Sequence, residues 1–258
     1  MPAWMDRDKG PNMTAWGPTT DFGMSSDDVR DAVDLHLARH IGEYQTAFTD
    51  EAGWSGSSEE DGPPIDVLVV PPQGERRFAF VSSFGCAFHP LRAKQYEDDG
   101  VRRRVEFVLA AQQIGDEKAD RRALNLAANT VRQFAKLVHL NPITVEPGET
   151  VAFSEDPEPV YDNSDLVAFA FIEPRLPGPG FERMPLSDDD EVTYIAPAPI
   201  YRAELDAAYA HGAEALAFAL SEGGVTEMID LSRAPVAEEK PEKPRSWWDK
   251  LLSLIGIG

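Results

Sequence analysis

The stretch Ile65–Leu91, IDVLVVPPQGERRFAFVSSFGCAFHPL, limits what this chain can fold into more than any other. Ile65, Val67, Leu68, Val69 and Val70 form an apolar, largely β-branched run too short for a helix. Pro71-Pro72-Gln73-Gly74 breaks that run, and Phe78, Phe80 and Val81 resume it. Proline lacks a ladder donor and sits outside paired strands, so the pattern predicts a β-hairpin. The loop beyond it, Ser83 to Pro90, holds Gly85, Cys86, Phe88 and His89, residue types that suit a ligand or contact site. Gly85 permits a tight turn there.

The flanking segments set the fold class. Ser25-Ser26-Asp27-Asp28 offers an N-cap and two carboxylates to a helix whose Val29, Val33, Leu37 and Ile41 make one apolar stripe, with Gly42 as its stop. After the hairpin, Arg102-Arg103-Arg104 leads into a strand over Val105–Ala110. Asp116 caps a long helix to about Leu140, with Leu124, Ala127, Val131, Phe134 and Val138 inward and Arg121, Arg122, Arg132 and Lys136 toward solvent. Thr144–Val151 reads as a short strand and turn, Asp165–Ile172 as a buried strand, and Val192–Ala196 as a further strand. Between them lie a Pro/Gly loop, Pro174–Pro185, and a solvated acidic patch, Ser187 to Glu191. One helix is expected from about Arg202 to Ser221, with Leu205, Tyr209, Gly212, Leu216 and Leu220 on one face and Gly223-Gly224 ending it.

This irregular order of strands and helices predicts an α+β fold. We expect a mixed, largely antiparallel sheet flanked by helices in a single domain, residues 25–235. Residues 1–24 read as an N-terminal arm and 236–245 as a charged linker. Residues 246–258 read as a short amphipathic helix in which Trp247, Leu251 and Ile255 repeat beside Trp248 and Leu252.

Charge narrows the partners. Lys and Arg total 24 against 45 Asp and Glu, a formal charge of −21. Such a field repels a phosphate backbone and attracts a basic protein, so nucleic acid is excluded as a partner class. No integral membrane segment and no secretory leader is evident, which makes the cytoplasm the expected compartment.

Catalytic signatures are scarce. The chain has no phosphate-binding glycine loop and no nucleophile elbow. His36 and His40 stand one helical turn apart, but Leu37 follows where a zinc-protease motif needs Glu, and no third ligand is near in sequence. We expect no metal and no cofactor. The one enzyme alternative is a thiol-dependent hydrolase using Cys86 with His89 as base; its counterpart is a buried cysteine packing as a small apolar side chain.

The order of segments resembles the suppressor of fused family, in its bacterial single-domain form. Ile65-Asp66-Val67 with Pro71-Pro72, then Phe78–Ser83, then Gly85, is similar to that family's opening strands and small-residue turn. Arg103/Arg104-Val105-Glu106-Phe107 matches its R-x-E-[LF] strand, and Ile143 to Thr150 its L-x-x-G-x-T segment. Pro199-Ile200-Tyr201-Arg202-Ala203-Glu204 matches its P-[IL]-x-x-x-E motif, followed by His211-Gly212 and Asp230-Leu231-Ser232-Arg233. Cys86 and Ala87 depart from the Met and Ser that the family commonly carries.

The resemblance implies a non-enzymatic protein-binding module. Its bacterial members resemble immunity proteins, antitoxins that neutralise a cognate toxin by direct binding, here a basic toxin domain. A scaffold or regulator that binds a peptide segment of a partner is the alternative. The expected contact residues lie on acidic and aromatic loops: Glu97, Asp98 and Asp99; Asp188, Asp189, Asp190 and Glu191; Phe88 and His89. On the tail they are Trp247, Trp248, Leu251 and Ile255.

Overall fold

Strand residues of this protein bury alternately to two faces of one sheet. In the computed structural model, which describes residues 25–49, 64–91, 102–141 and 143–236, Val67 and Val69 face one core while Leu68 and Val70 face another. Both sides of the sheet are covered, which is why its strands read in the sequence as continuous apolar runs.

Among the described residues the sheet has eight strands. They are β1 (Thr46–Phe48), β2 (Asp66–Val70), β3 (Phe78–Phe84), β4 (Arg102–Gln112), β5 (Thr150–Val151), β6 (Leu166–Ile172), β7 (Arg183–Ser187) and β8 (Asp190–Tyr201). Their order is β1-β2-β3-β4-β8-β6-β5, with β7 beside β8. The expected hairpin is β2–β3, with Val69 opposite Val81. All strand pairs are antiparallel except the central one: β4 runs parallel to the first half of β8, from Arg102 opposite Asp190 to Phe107 opposite Ile195. The second half of β8 pairs with β6. There the Pro199 carbonyl accepts from Arg233 Nη2 at 2.9 Å.

Helices cover the two faces. Helix α1 (Ser26–His40) is capped by Ser25, whose hydroxyl oxygen accepts from the Asp28 N–H, and buries Val29, Val33 and Leu37 against one face. Helix α2 (Glu117–Leu140) starts at Asp116, whose carboxylate accepts from Lys118 and Ala119, and packs Ala127, Val131, Phe134 and Val138 on the other. Arg132 does not face solvent as its position suggests. It is half-buried and reaches the Phe48 and Ile65 carbonyls, tying α2 to the edge of the hairpin. The single late helix is in fact two, α3 (Arg202–His211) and α4 (Ala213–Glu222). Gly212 separates them at φ +88, ψ 167, a conformation outside the helical region. The expected stripe breaks there: Leu205, Leu216 and Leu220 are buried, whereas Tyr209 is 70% exposed. Arg183–Ser187, within and beyond the end of the expected Pro/Gly loop, forms β7.

The N-terminal arm, most of the charged linker and the C-terminal segment lie outside the described residues. Among the described residues no helix is long and apolar enough to cross a membrane.

Phe134 contacts Phe107, Phe169 and Phe171 at ring distances of 5.9, 4.9 and 5.5 Å. Phe134→Ala should therefore cost about 3–5 kcal/mol in urea unfolding, and exposed Leu35→Ala less than about 0.5 kcal/mol.

Candidate functional site

The loop after β3 is organised by a carboxylate. Glu106 stands in the middle of β4 and is fully buried. Its Oε1 accepts from the Gly85 and Ala87 N–H groups at 3.1 and 3.0 Å, and its Oε2 from the Ser83 hydroxyl. Ser83 Oγ in turn accepts from the Phe107 N–H at 2.8 Å. Gly85 turns the chain at φ +114, and a Cβ there would meet the Pro64 carbonyl oxygen at 3.0 Å. A single 3-10 turn, Cys86–Phe88, follows. Burial pushes the Glu106 carboxyl up to about 7, while the hydrogen bonds from Ser83 and the loop N–H groups pull the other way.

Two residues earlier on the same face of β4, Arg104 grips Asp190 of β8 through Nε and Nη2, at 2.7 and 2.9 Å. Its Nη1 donates to the Ala87 and Phe88 carbonyls at 2.9 and 3.1 Å. Arg103 pairs with Glu191 at 3.2 Å, the Leu91 N–H donates to the Arg103 carbonyl at 2.8 Å, and the Arg102 N–H donates to the Asp189 carbonyl at 2.7 Å. The basic cluster and the acidic patch thus form ion pairs across the only parallel strand pair among the described residues.

The acidic run is not solvated throughout as expected: Asp190 is buried and engaged by Arg104, and Glu191 is half-buried and paired with Arg103. Asp188 and Asp189 are exposed at the β7–β8 turn. Phe88 and His89 are half-buried, with Phe88 against Phe84 at 5.4 Å and beneath the Arg30 guanidinium at 5.3 Å. Through Arg104, the Phe88–His89 loop and the Asp188–Asp189 turn meet at one corner of the sheet. Glu97, Asp98, Asp99, Trp247, Trp248, Leu251 and Ile255 lie outside the described residues.

Cys86 is fully buried, and its Sγ lies 3.5 Å from His139 Nε2 of α2. Burial, and then the charge of Glu106, pushes the thiol well above its ordinary value, the reverse of what a nucleophile needs. His36 and His40 also pack: the His36 ring stacks on Tyr194 and Phe181 at 4.9 and 5.3 Å, and its Nε2 is 3.0 Å from the Phe181 carbonyl oxygen. Among the described residues no group of three side chains is arranged to hold a metal.

Two further buried glutamates work as Glu106 does. Glu204, at the start of α3, takes both arms of Arg233 and the N–H groups of Tyr201 and Val236. This joins the P-I-x-x-x-E segment to the Asp230–Arg233 segment. Glu227 accepts from the Arg175 and Leu176 N–H groups at 2.9 and 2.7 Å, and burial raises its pKa. The sequence places Glu106 and Glu204 in family motifs without a structural role and offers no sign of Glu227. The signal available was a lone carboxylate inside an otherwise apolar strand, as in Val105-Glu106-Phe107.

The family model for suppressor of fused protein matches residues 61–234. The chain belongs to the suppressor of fused family. A suppressor of fused homologue from Neisseria gonorrhoeae FA 1090 superposes with a TM-score of 0.56 at 19% identity, covering 83% of this chain and 100% of that one. A chain of the Sufu–Fu complex gives 0.54 at 14% identity, covering 83% and 98%. Drosophila Suppressor of Fused gives 0.54 at 14%, covering 88% of this chain and 53% of that longer one. No curated protein matches in a sequence search. At these identities the likeness to solved structures is one of fold.

Two measurements follow from the site. Asp190→Asn leaves Arg104 buried without its partner and should cost about 3–5 kcal/mol in urea unfolding, while Asp188→Asn should stay within about 0.5 kcal/mol. Glu106, raised from 4.5 to about 7, binds its proton more tightly folded than unfolded. Its stabilising effect is full below pH 4.5 and is lost as pH rises through 7. Stability relative to Glu106→Gln should therefore fall by about 3 kcal/mol across that window, read from chemical denaturation at each pH.

Proposed function

We propose that this chain is a non-enzymatic protein-binding module and, within that class, an immunity protein that neutralises a toxin by direct binding. The observation that carries the first part is the family fold itself: a chain of this fold, covered over 98% of its length, takes part in the Sufu–Fu complex. The interior supports it. Arg104, Glu106, Glu204 and Arg233, which stand in the family motifs, spend their polar groups on neighbouring backbone and on each other. Cys86 has no access to solvent.

The finer reading rests on charge and on the resemblance to bacterial members. A formal charge of −21 speeds encounter with a basic toxin such as a nuclease. The contact surface we favour is the corner holding Phe88, His89, Asp188 and Asp189, with Glu97–Asp99 on the connecting segment. A cytoplasmic location goes with this role. The tail residues Trp247, Trp248, Leu251 and Ile255 suit the alternative, a scaffold that recruits a partner through a peptide segment.

Co-expression with the product of the adjacent gene tests this. The expected result is restored growth and a co-purified complex weakened by salt. A product that is harmless, or whose toxicity is unchanged, ends the immunity reading; a co-purified complex without toxicity leaves the binding role standing.

A further inference from the structure

One apolar concavity on the surface belongs to none of the sites above. A groove of about 300 Å³ opens between α2 and the chain leaving β5, lined by Gln133, Phe134, Leu137 and Phe153. That volume is at the lower limit of sites that take an anchoring group. Phe153 is 61% exposed although its ring lies only 6.5 Å from that of Phe134 and 6.2 Å from that of Phe169. Gln133, Leu137 and Leu140 repeat at i, i+4 and i+7, so they share one flank of α2, and Leu140 is 45% exposed. The apolar strip therefore continues along the helix past the groove.

Exposed carboxylates follow Phe153 in the chain: Glu155 and Glu158 have no ion pair among the described residues, and Asp156 is held by Arg202. Of the cations on this stretch of α2, Arg132 reaches the Phe48 and Ile65 carbonyls and Lys136 is half-buried. A strip of apolar side chains followed by exposed carboxylates is complementary to a segment with large apolar anchors beside Lys or Arg. The partner's shape follows from the edge. Strand β5 is two residues long, too short to template an added strand, whereas the strip runs along a helix flank.

We infer that this groove docks a basic amphipathic helix of the partner protein, its apolar face seated between Phe153 and the Leu137–Leu140 flank and its cations on Glu155 and Glu158. The inference rests on the protein-binding reading and adds a second contact surface to it. The chain's own segment SWWDKLLSLIGIG is a poorer fit, since its one Asp and one Lys leave it with no net positive charge to meet these carboxylates.

The probe is a labelled Leu/Lys amphipathic peptide, followed by fluorescence anisotropy against the full chain, with a Leu/Glu peptide of the same apolar face as control. The Leu/Lys peptide should bind and the Leu/Glu peptide should not. Phe153→Ala should weaken binding about tenfold or more, as loss of a central aromatic anchor does. Glu155→Gln with Glu158→Gln should weaken it and flatten its salt dependence. All three positions are exposed, so melting should not move. Unchanged binding by Phe153→Ala, or equal binding of the two peptides, overturns the inference. Tighter peptide binding by Trp247→Ala/Trp248→Ala would give the groove to the chain's own tail, and a dimer split by Phe153→Ala in sedimentation would give it to a second copy; either result also overturns it. If toxin neutralisation survives Phe153→Ala undiminished, this groove is not where the partner docks, and the protein-binding reading is untouched.

Discussion

The Arg104–Asp190 pair is the interaction on which the rest of the structure depends. It lies at the seam where the hairpin half of the sheet meets the β6–β8 half. That seam is the only parallel strand pair among the described residues, and parallel pairing cannot be fixed by a tight turn. Something else must fix the register, and side chains do: a bidentate grip at Asp190, a second pair at Glu191, and two backbone carbonyls of the 3-10 turn held by the same guanidinium. A one-residue slip would turn Asp190 to the opposite face and leave Arg104 buried and unpaired, which makes the slipped register costly.

Glu106, Glu204 and Glu227 apply related chemistry to three loops. A carboxylate only accepts, so one buried Glu can gather several N–H groups that a turn leaves without partners. Glu106 and Glu227 gather N–H groups from loop segments, Gly85–Ala87 and Arg175–Leu176, and Glu204 those of Tyr201 at the end of β8 and of Val236. Glu204 adds a salt bridge to Arg233. Glu106 lacks one, and burial leaves its proton poised near neutral pH.

Much of the fold was legible because its elements carry strong local patterns. Ser25 and Asp116 were read as helix caps and serve as such, and the hairpin register follows from Pro71-Pro72 placed between two apolar runs. The failures have a common cause. The acidic run Ser187–Glu191 looks solvated in one dimension because its partner, Arg102–Arg104, is more than eighty residues away in sequence. Tyr209 looked like core because the helix was read as continuous through Gly212, and the break rotates everything upstream of it. Asp188 and Asp189 are exposed, as the sequence suggests, but that their turn shares a corner with Phe88 and His89 follows only from the tertiary contacts of Arg104. Phe153 carried no periodic signal at all, since it follows a strand of two residues.

The excess acidity is then best understood by where it can act. Asp190 and Glu204 are paired with Arg104 and Arg233, and setting such pairs aside leaves the formal excess of −21 unchanged. Charge spread over a surface acts beyond a Debye length only weakly at physiological salt, so it raises the rate of encounter more than it holds a complex together. Residence must come from apolar contacts that exclude water, and among the described residues the exposed aromatic side chains Phe153, Tyr209 and Phe218 are few and separate. On the immunity-protein reading proposed above, such a surface would meet basic proteins quickly and retain only one that brings an apolar anchor of the right shape.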